Sequence, residues 1–401
     1  MFSLIHWLVI LSVTLWPFGA ESKEIKKTSL EIPKGKEAEV VRIALLQNIS
    51  EVTLSADGSF QVRDSQGRPL FSGPRIVKTK VRAAPQGGIQ WGIQSFATAP
   101  LVIQARGGAI RLDHHLYRHT LEIWPEMNGK ISVINQVGLE DYLKGVLPVE
   151  ANPKWDLEAL KAQAVAARTY ALFKAVENRD KKFALGKDVL SQVYAGKNSE
   201  HPVTDQAVES TRGRILTYRG KIFPAYFHST CGGGTTHAEY LWNVEPHPSL
   251  KGVQCNFCWA SKHYRWSDSI SISEIEAALK RNGVKISGIS EIRLEDIDAT
   301  GRARKIGIVS PEGKISVHSN DFRLWIGPSK LKSTLITSME RKENQYLFRG
   351  RGWGHGVGLC QYGMKQLAEL GYTYAQILQY YYPEAVVETL NNSSEFESAS
   401  P

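Results

Sequence analysis

Cysteine is scarce in this chain: there are four in 401 residues, at Cys231, Cys255, Cys258 and Cys360. That is too few for a scaffold built from disulfides, and a chain of this length buries roughly three quarters of its surface without such staples. Long apolar runs are also nearly missing. The one present, Leu4 to Phe18, is broken by His6, Ser12 and Thr14 and followed by Gly19-Ala20-Glu21-Ser22, which is too short and interrupted for a comfortable membrane span. It reads as an export signal over residues 1–22, cleaved near Ala20 or Ser22, although no Lys or Arg precedes the run. A retained anchor is the other reading, and it would be the only membrane attachment. No cysteine follows it, so lipidation is not expected. The chain has no G-x-G-x-x-G, no GK[ST] phosphate loop, no H-E-x-x-H and no G-x-S-x-G. Nucleotide binding and the common metalloprotease and serine hydrolase chemistries therefore have no support.

What is present is the composition of an ordinary folded protein. Hydrophobic residues make up 42% and charged residues 22%, which excludes a disordered, collagen-like or polytopic membrane chain. Lys and Arg outnumber Asp and Glu by 49 to 40, a net charge of +9. This excess suits an acidic partner such as nucleic acid, anionic lipid or an anionic wall polymer. The charge is not gathered into a run and an export signal precedes it, so nucleic acid is not the expected partner.

Residues 23–130 carry short β-type runs, Glu39 to Leu46, Glu51 to Leu54, Phe60 to Arg63 and Leu101 to Gln104. Turn pairs such as Asp57-Gly58, Gln66-Gly67 and Gly87-Gly88 separate them, as expected of a meandering antiparallel β-rich region. Lys130 to Asn135 is a further strand, and Leu139 to Val146 is predicted as a short helix. Asp156 to Val176 is the clearest helix. Asp156 stands at its N-cap, and Leu160, Ala164, Ala167, Ala171 and Ala175 recur on one side. A face of alanines lets another backbone approach closely, so this helix is expected at the centre of the domain. Ile215 to Phe227 returns to strands, and Ser273 to Asn282 is an amphipathic helix with Ser273 as cap and Glu276 at the capping-box position. Strand patterns around Gly301 point to a small β insert at about 290–345. Tyr374 to Tyr382 closes the ordered part, and 391–401 is a polar, disordered tail. The expected class is α+β: the β-rich N-terminal region, then a mixed core over 131–390 built round the alanine-rich helix.

Three constellations could carry chemistry. Glu150 lies in Pro148-Val149-Glu150-Ala151-Asn152-Pro153-Lys154-Trp155, read as a loop running into the cap of the alanine-rich helix. Apolar neighbours raise a carboxyl pKa and a positive helix end lowers it; if burial prevails, Glu150 is a proton donor at neutral pH. In Arg349 to Gly363, glycine fills every even position from Gly350 to Gly358. Read as extended chain, this leaves one side bare for a glycan or another backbone, with Arg351, Trp353 and His355 on the other; tight packing with His355 hydrogen-bonded inside is the alternative. Finally, His228 and Cys231 precede Cys255 and Cys258, with His237 and His263 nearby. H-x-x-C plus C-x-x-C offers four ligands for a tetrahedral metal. A disulfide from Cys231 to Cys255 or Cys258, or free thiols, are the alternatives left open.

Taken together, Leu139 to Glu150, Trp155 to Tyr170, Phe227 to Gly233, Gly301-Arg302 and Gly352 to Gly363 resemble the stage II sporulation protein D family (SpoIID/LytB), exported bacterial proteins that act on peptidoglycan. The match covers about Ile131 to Glu384. It implies a catalytic Glu at Glu150, although the usual E-M-P or E-M-x loop reads Glu150-Ala151-Asn152 here. The substrate-binding positions expected are Gln163, Tyr170, Gln192, Tyr194, His228, Arg351, His355, Gln361 and Tyr362. Gln163 and Tyr170 come from helical spacing, with Arg168 pointing away from them. Some relatives carry a His/Cys zinc site before the Gln-x-Tyr-x-Gly segment. Here Lys187 to Gly196 contains neither Cys nor His, so no metal is expected there and no cofactor is called for. Sporulation-type members resemble lytic transglycosylases acting on peptide-stripped glycan strands, and others resemble enhancers of an N-acetylmuramoyl-L-alanine amidase, which makes that amidase a partner. Ordinary glycoside hydrolysis uses two carboxylates. When the muramic acid supplies its own C6 hydroxyl, the attack is intramolecular and one carboxyl suffices. The implied location is the periplasm or cell envelope.

Overall fold

The computed structural model describes residues 25–33, 40–187 and 192–390. The expected export signal and polar tail lie outside the described residues. The class is α+β, as the sequence predicts. Most of the N-terminal half is one large sheet of eleven strands. At its centre, 40–49, 131–138, 115–125 and 101–112 run antiparallel, each to the next. Alternation sets the faces: in 51–56, Val52, Leu54 and Ala56 point inward while Glu51 faces solvent.

The strand Ile131–Gly138 runs directly into helix α1 (Leu139–Glu150). That helix is longer than its spacing predicts, because Pro148 falls inside it without ending it. Proline removes one backbone donor, yet Leu139, Tyr142, Leu143, Val146 and Leu147 are all buried and packing carries the helix past it. Helix α2 (Leu157–Glu177) starts at Asp156, whose Oδ1 accepts from the Glu158 N–H at 2.8 Å. From Ala159 to Phe173 every residue except Lys161 is buried. Leu160, Ala164, Ala167 and Ala171 pack into the core under the large sheet, while Ala159, Ala162, Val165 and Ala166 pack into a second core. The small side chains let a helix serve as a wall shared by two cores.

Arg168 on α2 is fully buried and makes a two-pronged pair with Glu140 of α1, at 2.9 and 2.7 Å. Its remaining N–H groups reach the carbonyls of Val208 and Arg214. Helix α3 (Pro202–Ser210) packs on both α1 and α2.

A third core gathers residues from Trp266 to Phe348. It lies among α4 (Ile272–Arg281), α5 (Ser319–Ile326), a sheet of 265–271, 345–351 and 336–342, and a sheet of 291–297, 303–310 and 313–318. The expected insert at 290–345 is thus part of a larger, mixed unit. Helix α4 is capped by Ser271, which accepts from the Glu274 N–H at 3.1 Å. Ser273 is not the cap, and Glu276 instead accepts from the Ile289 N–H at 3.1 Å. Helices α6 (Gln361–Glu369) and α7 (Tyr374–Tyr381) close the second core. Among the described residues, no helix is long and apolar enough to cross a membrane.

Candidate active site

Glu150 is the last residue of α1, at its carbonyl end, rather than in a loop at the positive end of α2. Its Oε1 accepts from the Val193 backbone N–H at 3.0 Å and its Oε2 from the Gln361 side-chain amide at 3.3 Å. Burial raises the pKa of this carboxyl, and the two hydrogen bonds pull it back without cancelling the rise. Among the described residues, no cation sits against it to hold it ionised.

Glu150 lines a cleft of about 1050 Å³ together with Tyr170, Tyr226, His228, Trp353, His355 and Gln361. Tyr226 stacks obliquely on Trp242, ring centroids 4.4 Å apart, and both flank His355. Such a wall of aromatic faces suits the apolar face of a sugar ring. The rim carries both charge signs, with Lys174 paired to Glu177 and Arg304 to Asp296.

The residues expected at the site divide into two groups. Tyr170, His228, His355 and Gln361 line the cleft. Gln163 does not: it is fully buried, and neither atom of its amide has a partner. Spacing puts it on the same side of α2 as Tyr170, but about 10 Å further along the axis, where that side faces core. Gln192 and Tyr194 also fall in the core. Gln192 accepts from the Tyr142 hydroxyl at 2.8 Å and donates to the Ala167 carbonyl, and the Tyr194 hydroxyl donates to Asn135 at 2.9 Å. In extended chain alternate residues face opposite ways, so these two anchor the segment and the residue between them presents its N–H to Glu150. Arg351 lines a separate cavity beside Gly232 to Gly234, and Arg349 approaches Glu340. Tyr362 is half-buried, edge-on to Trp155 at 5.5 Å, and does not line the cleft. The sequence reading missed Val193, Tyr226 and Trp242. Only Val193 left a signal, as the middle residue of Gln-x-Tyr.

Past the strand that ends at Arg351, the glycine-alternating segment is not extended chain. Gly354 and Gly356 have φ of +115° and +86°, and a Cβ on either would lie 2.7 Å from His228 Cβ or 2.6 Å from the Arg302 guanidinium carbon. The glycines therefore admit protein, not glycan. His355 is held on both ring nitrogens: Nε2–H donates to the Phe227 carbonyl at 2.8 Å, and Nδ1 accepts from the Val357 N–H at 3.1 Å. Burial keeps it neutral, well below the ordinary histidine range. His228 donates from Nδ1 to the Val357 carbonyl at 3.1 Å, while its Nε2 is buried without a partner. Burial and the nearby Arg302 guanidinium push its pKa down to about 3, so the ring is neutral and Nε2 is a buried acceptor with no partner among the described residues. The disulfide from Cys231 to Cys255 or Cys258 does not form: all four cysteines are free.

The stage II sporulation protein family matches residues 127–218, which include Glu150 and all of α2, and a domain of unknown function matches residues 250–358. Stage II sporulation protein D of Bacillus subtilis is 31% identical over 265 residues, 62% of this chain and 74% of the relative. This chain belongs to the stage II sporulation protein D family. An uncharacterized protein of Brachyspira hyodysenteriae is 37% identical over 272 residues, 67% of this chain and 72% of the relative. The amidase enhancer of B. subtilis is 32% identical over 287 residues, and the matched part is 39% of that longer protein. The blocks that carry the family resemblance, Leu139 to Glu150, Phe227 to Gly233 and Gly352 to Gly363, are far apart in sequence. The fold brings residues from all three, among them Glu150, His228 and Gln361, into one cleft.

Proposed function

We propose that this family member is an exported peptidoglycan-remodelling lytic transglycosylase that cleaves MurNAc–GlcNAc linkages in peptide-stripped glycan strands, with Glu150 as its one acid/base. The observation carrying this reading is a carboxyl with a pKa raised by burial, fixed by two donors at the floor of an aromatic cleft. In its protonated form Glu150 gives its proton to the glycosidic oxygen as the C1–O bond breaks. The resulting carboxylate takes the proton of the C6 hydroxyl as that oxygen bonds to C1, so a 1,6-anhydro ring forms and Glu150 ends protonated, with no water consumed. Val193 N–H and the Gln361 amide hold the carboxylate while it bears charge.

The test is digestion of purified denuded glycan strands by the wild type and by Glu150→Gln, with mass spectrometry of the products. Anhydro-muramic ends from the wild type and none from the variant are expected; a wild type that yields no anhydro ends sinks the proposal. A second reading, a glycan-binding activator of an N-acetylmuramoyl-L-alanine amidase, is favoured by the relative that bears the name amidase enhancer. It predicts instead that wild type and Glu150→Gln stimulate an added amidase equally.

A further inference from the structure

Cys231, Cys255, Cys258 and Cys360 come from three separate stretches of chain, and all four are fully buried. Their sulfurs lie within 4.8 Å of one another, with Cys231 Sγ 3.5 Å from Cys258 Sγ. A disulfide requires about 2.05 Å between sulfurs, whereas a tetrahedron of metal–sulfur bonds of about 2.3 Å sets its four sulfurs about 3.8 Å apart. The gathering matches the second figure and leaves too little room for an iron–sulfur cluster between the thiols. We propose that these four cysteines form a closed tetrahedral site for one thiolate-preferring divalent metal ion of the zinc class.

Two further features fit that occupant. The Cys231 N–H donates to Cys360 Sγ at 3.2 Å and the Tyr381 hydroxyl lies 3.1 Å from Cys255 Sγ, so ligand sulfurs receive outer hydrogen bonds of the kind that orient and stabilise thiolates. Beside the cluster, Arg302 is completely buried, donates to the carbonyls of Cys231 and Gly234, and has no ion-pair partner among the described residues; its Nε and Nη1 have no partner at all. A buried cation that forms no ion pair is costly. Asp298 offsets its charge only in part, since its carboxylate is engaged by Thr236, Thr300 and the Arg302 backbone N–H, and a divalent ion with four thiolates adds two net negative charges beside it.

The fourth ligand is Cys360, whose Sγ lies with the other three sulfurs, whereas neither ring nitrogen of His228 belongs to that group. With four protein ligands no coordination position is open, so the ion's role is structural. Its place explains its use. Phe227–His228 pairs in parallel with Leu359–Cys360, Cys231 follows three residues after His228, and Cys360 immediately precedes Gln361. One ion thus clamps the two segments that bring His228 and Gln361 to the cleft.

The test reads metal and thiols rather than activity. Native mass spectrometry of the purified protein, without added metal, is expected to show one zinc per chain. Titration with an organomercurial is expected to release it as four thiol equivalents are consumed. Cobalt exchanged into the wild type should give thiolate-to-cobalt charge-transfer absorption, Cys360→Ser should lower retained metal several-fold, and His228→Ala should leave the metal content unchanged. A metal-free chain lighter by the hydrogens of one or two disulfides, or a metal-free chain whose four thiols alkylate readily, overturns the proposal. Both readings come from the wild type, so a variant that fails to fold does not decide the matter.

Discussion

At Glu150 two tendencies compete, and their balance can be moved one hydrogen bond at a time. The Gln361 amide donates to the charged form of the carboxyl and so holds its pKa below where burial alone would leave it. Gln361→Ala removes that donor, and the pKa of Glu150 rises further. Protonation of the free enzyme's acid sets the alkaline limb of kcat/KM, so the pH at which cleavage falls away is expected to move upward in Gln361→Ala. A pH–rate profile checks it, and an alkaline limb that stays put or moves down shows that Glu150 is not the group titrating. Glu150 was legible as a candidate mainly through the family resemblance, its apolar neighbours alone marking only a carboxyl whose pKa burial could shift. Its surroundings were not. Pro148 reads as a stop, and only the burial of α1's apolar face, a tertiary effect, keeps the helix going to Glu150. The same limit applies to His355: its setting between glycines left a cleft-facing and an internally hydrogen-bonded histidine both open, and only the fold engages both ring nitrogens with backbone.

The segment Gln192-Val193-Tyr194 shows how an element can hold a site without offering it a side chain. Tyr194 packs against Tyr142 and Tyr117, at 5.0 and 5.8 Å between ring centroids, and donates to Asn135. Tyr194→Phe leaves Asn135 Oδ1 short of that donor, which is expected to cost about 1–3 kcal/mol as a lowered melting temperature. Glycan affinity of the folded protein should be unchanged. A large loss of affinity at unchanged stability would return Tyr194 to the cleft. Helices were the elements most legible from sequence: α2 has its cap at Asp156 as predicted, because capping and periodicity are local. The orientation of a buried helix is not local, and Gln163 was misplaced for that reason. Alternating glycine likewise records only that side chains are excluded, and the excluding atoms, in His228 and Arg302, come from elsewhere in the chain.

For the whole molecule, the informative junction is where residues 265–271 and 345–351 meet. They pair along their full length, with Arg265 opposite Arg351 and Ser271 opposite Gln345, so the unit between them begins and ends at neighbouring points. Its core draws on its own residues, among them Ile275, Ile306, Phe322 and Phe348. Residues 265–351 produced alone are therefore expected to unfold in one cooperative thermal transition; a broad, non-cooperative melt would show that the unit depends on the rest of the chain. The net charge of +9 is no guide to the cleft, whose rim carries both signs, and the matching of α1, α2 and the glycine segment across such distances was visible only through family likeness. The paired entry and exit also bear on descent. The Glu150 carboxyl and its two donors belong to α1, the segment at Val193 and α6, whereas Arg304, Lys305 and Asp321, which also line the cleft, belong to the inserted unit. Under the proposed function, proton transfer and the aromatic wall are thus written in one cassette and part of the charged rim in another, and the second can be exchanged while the first is kept.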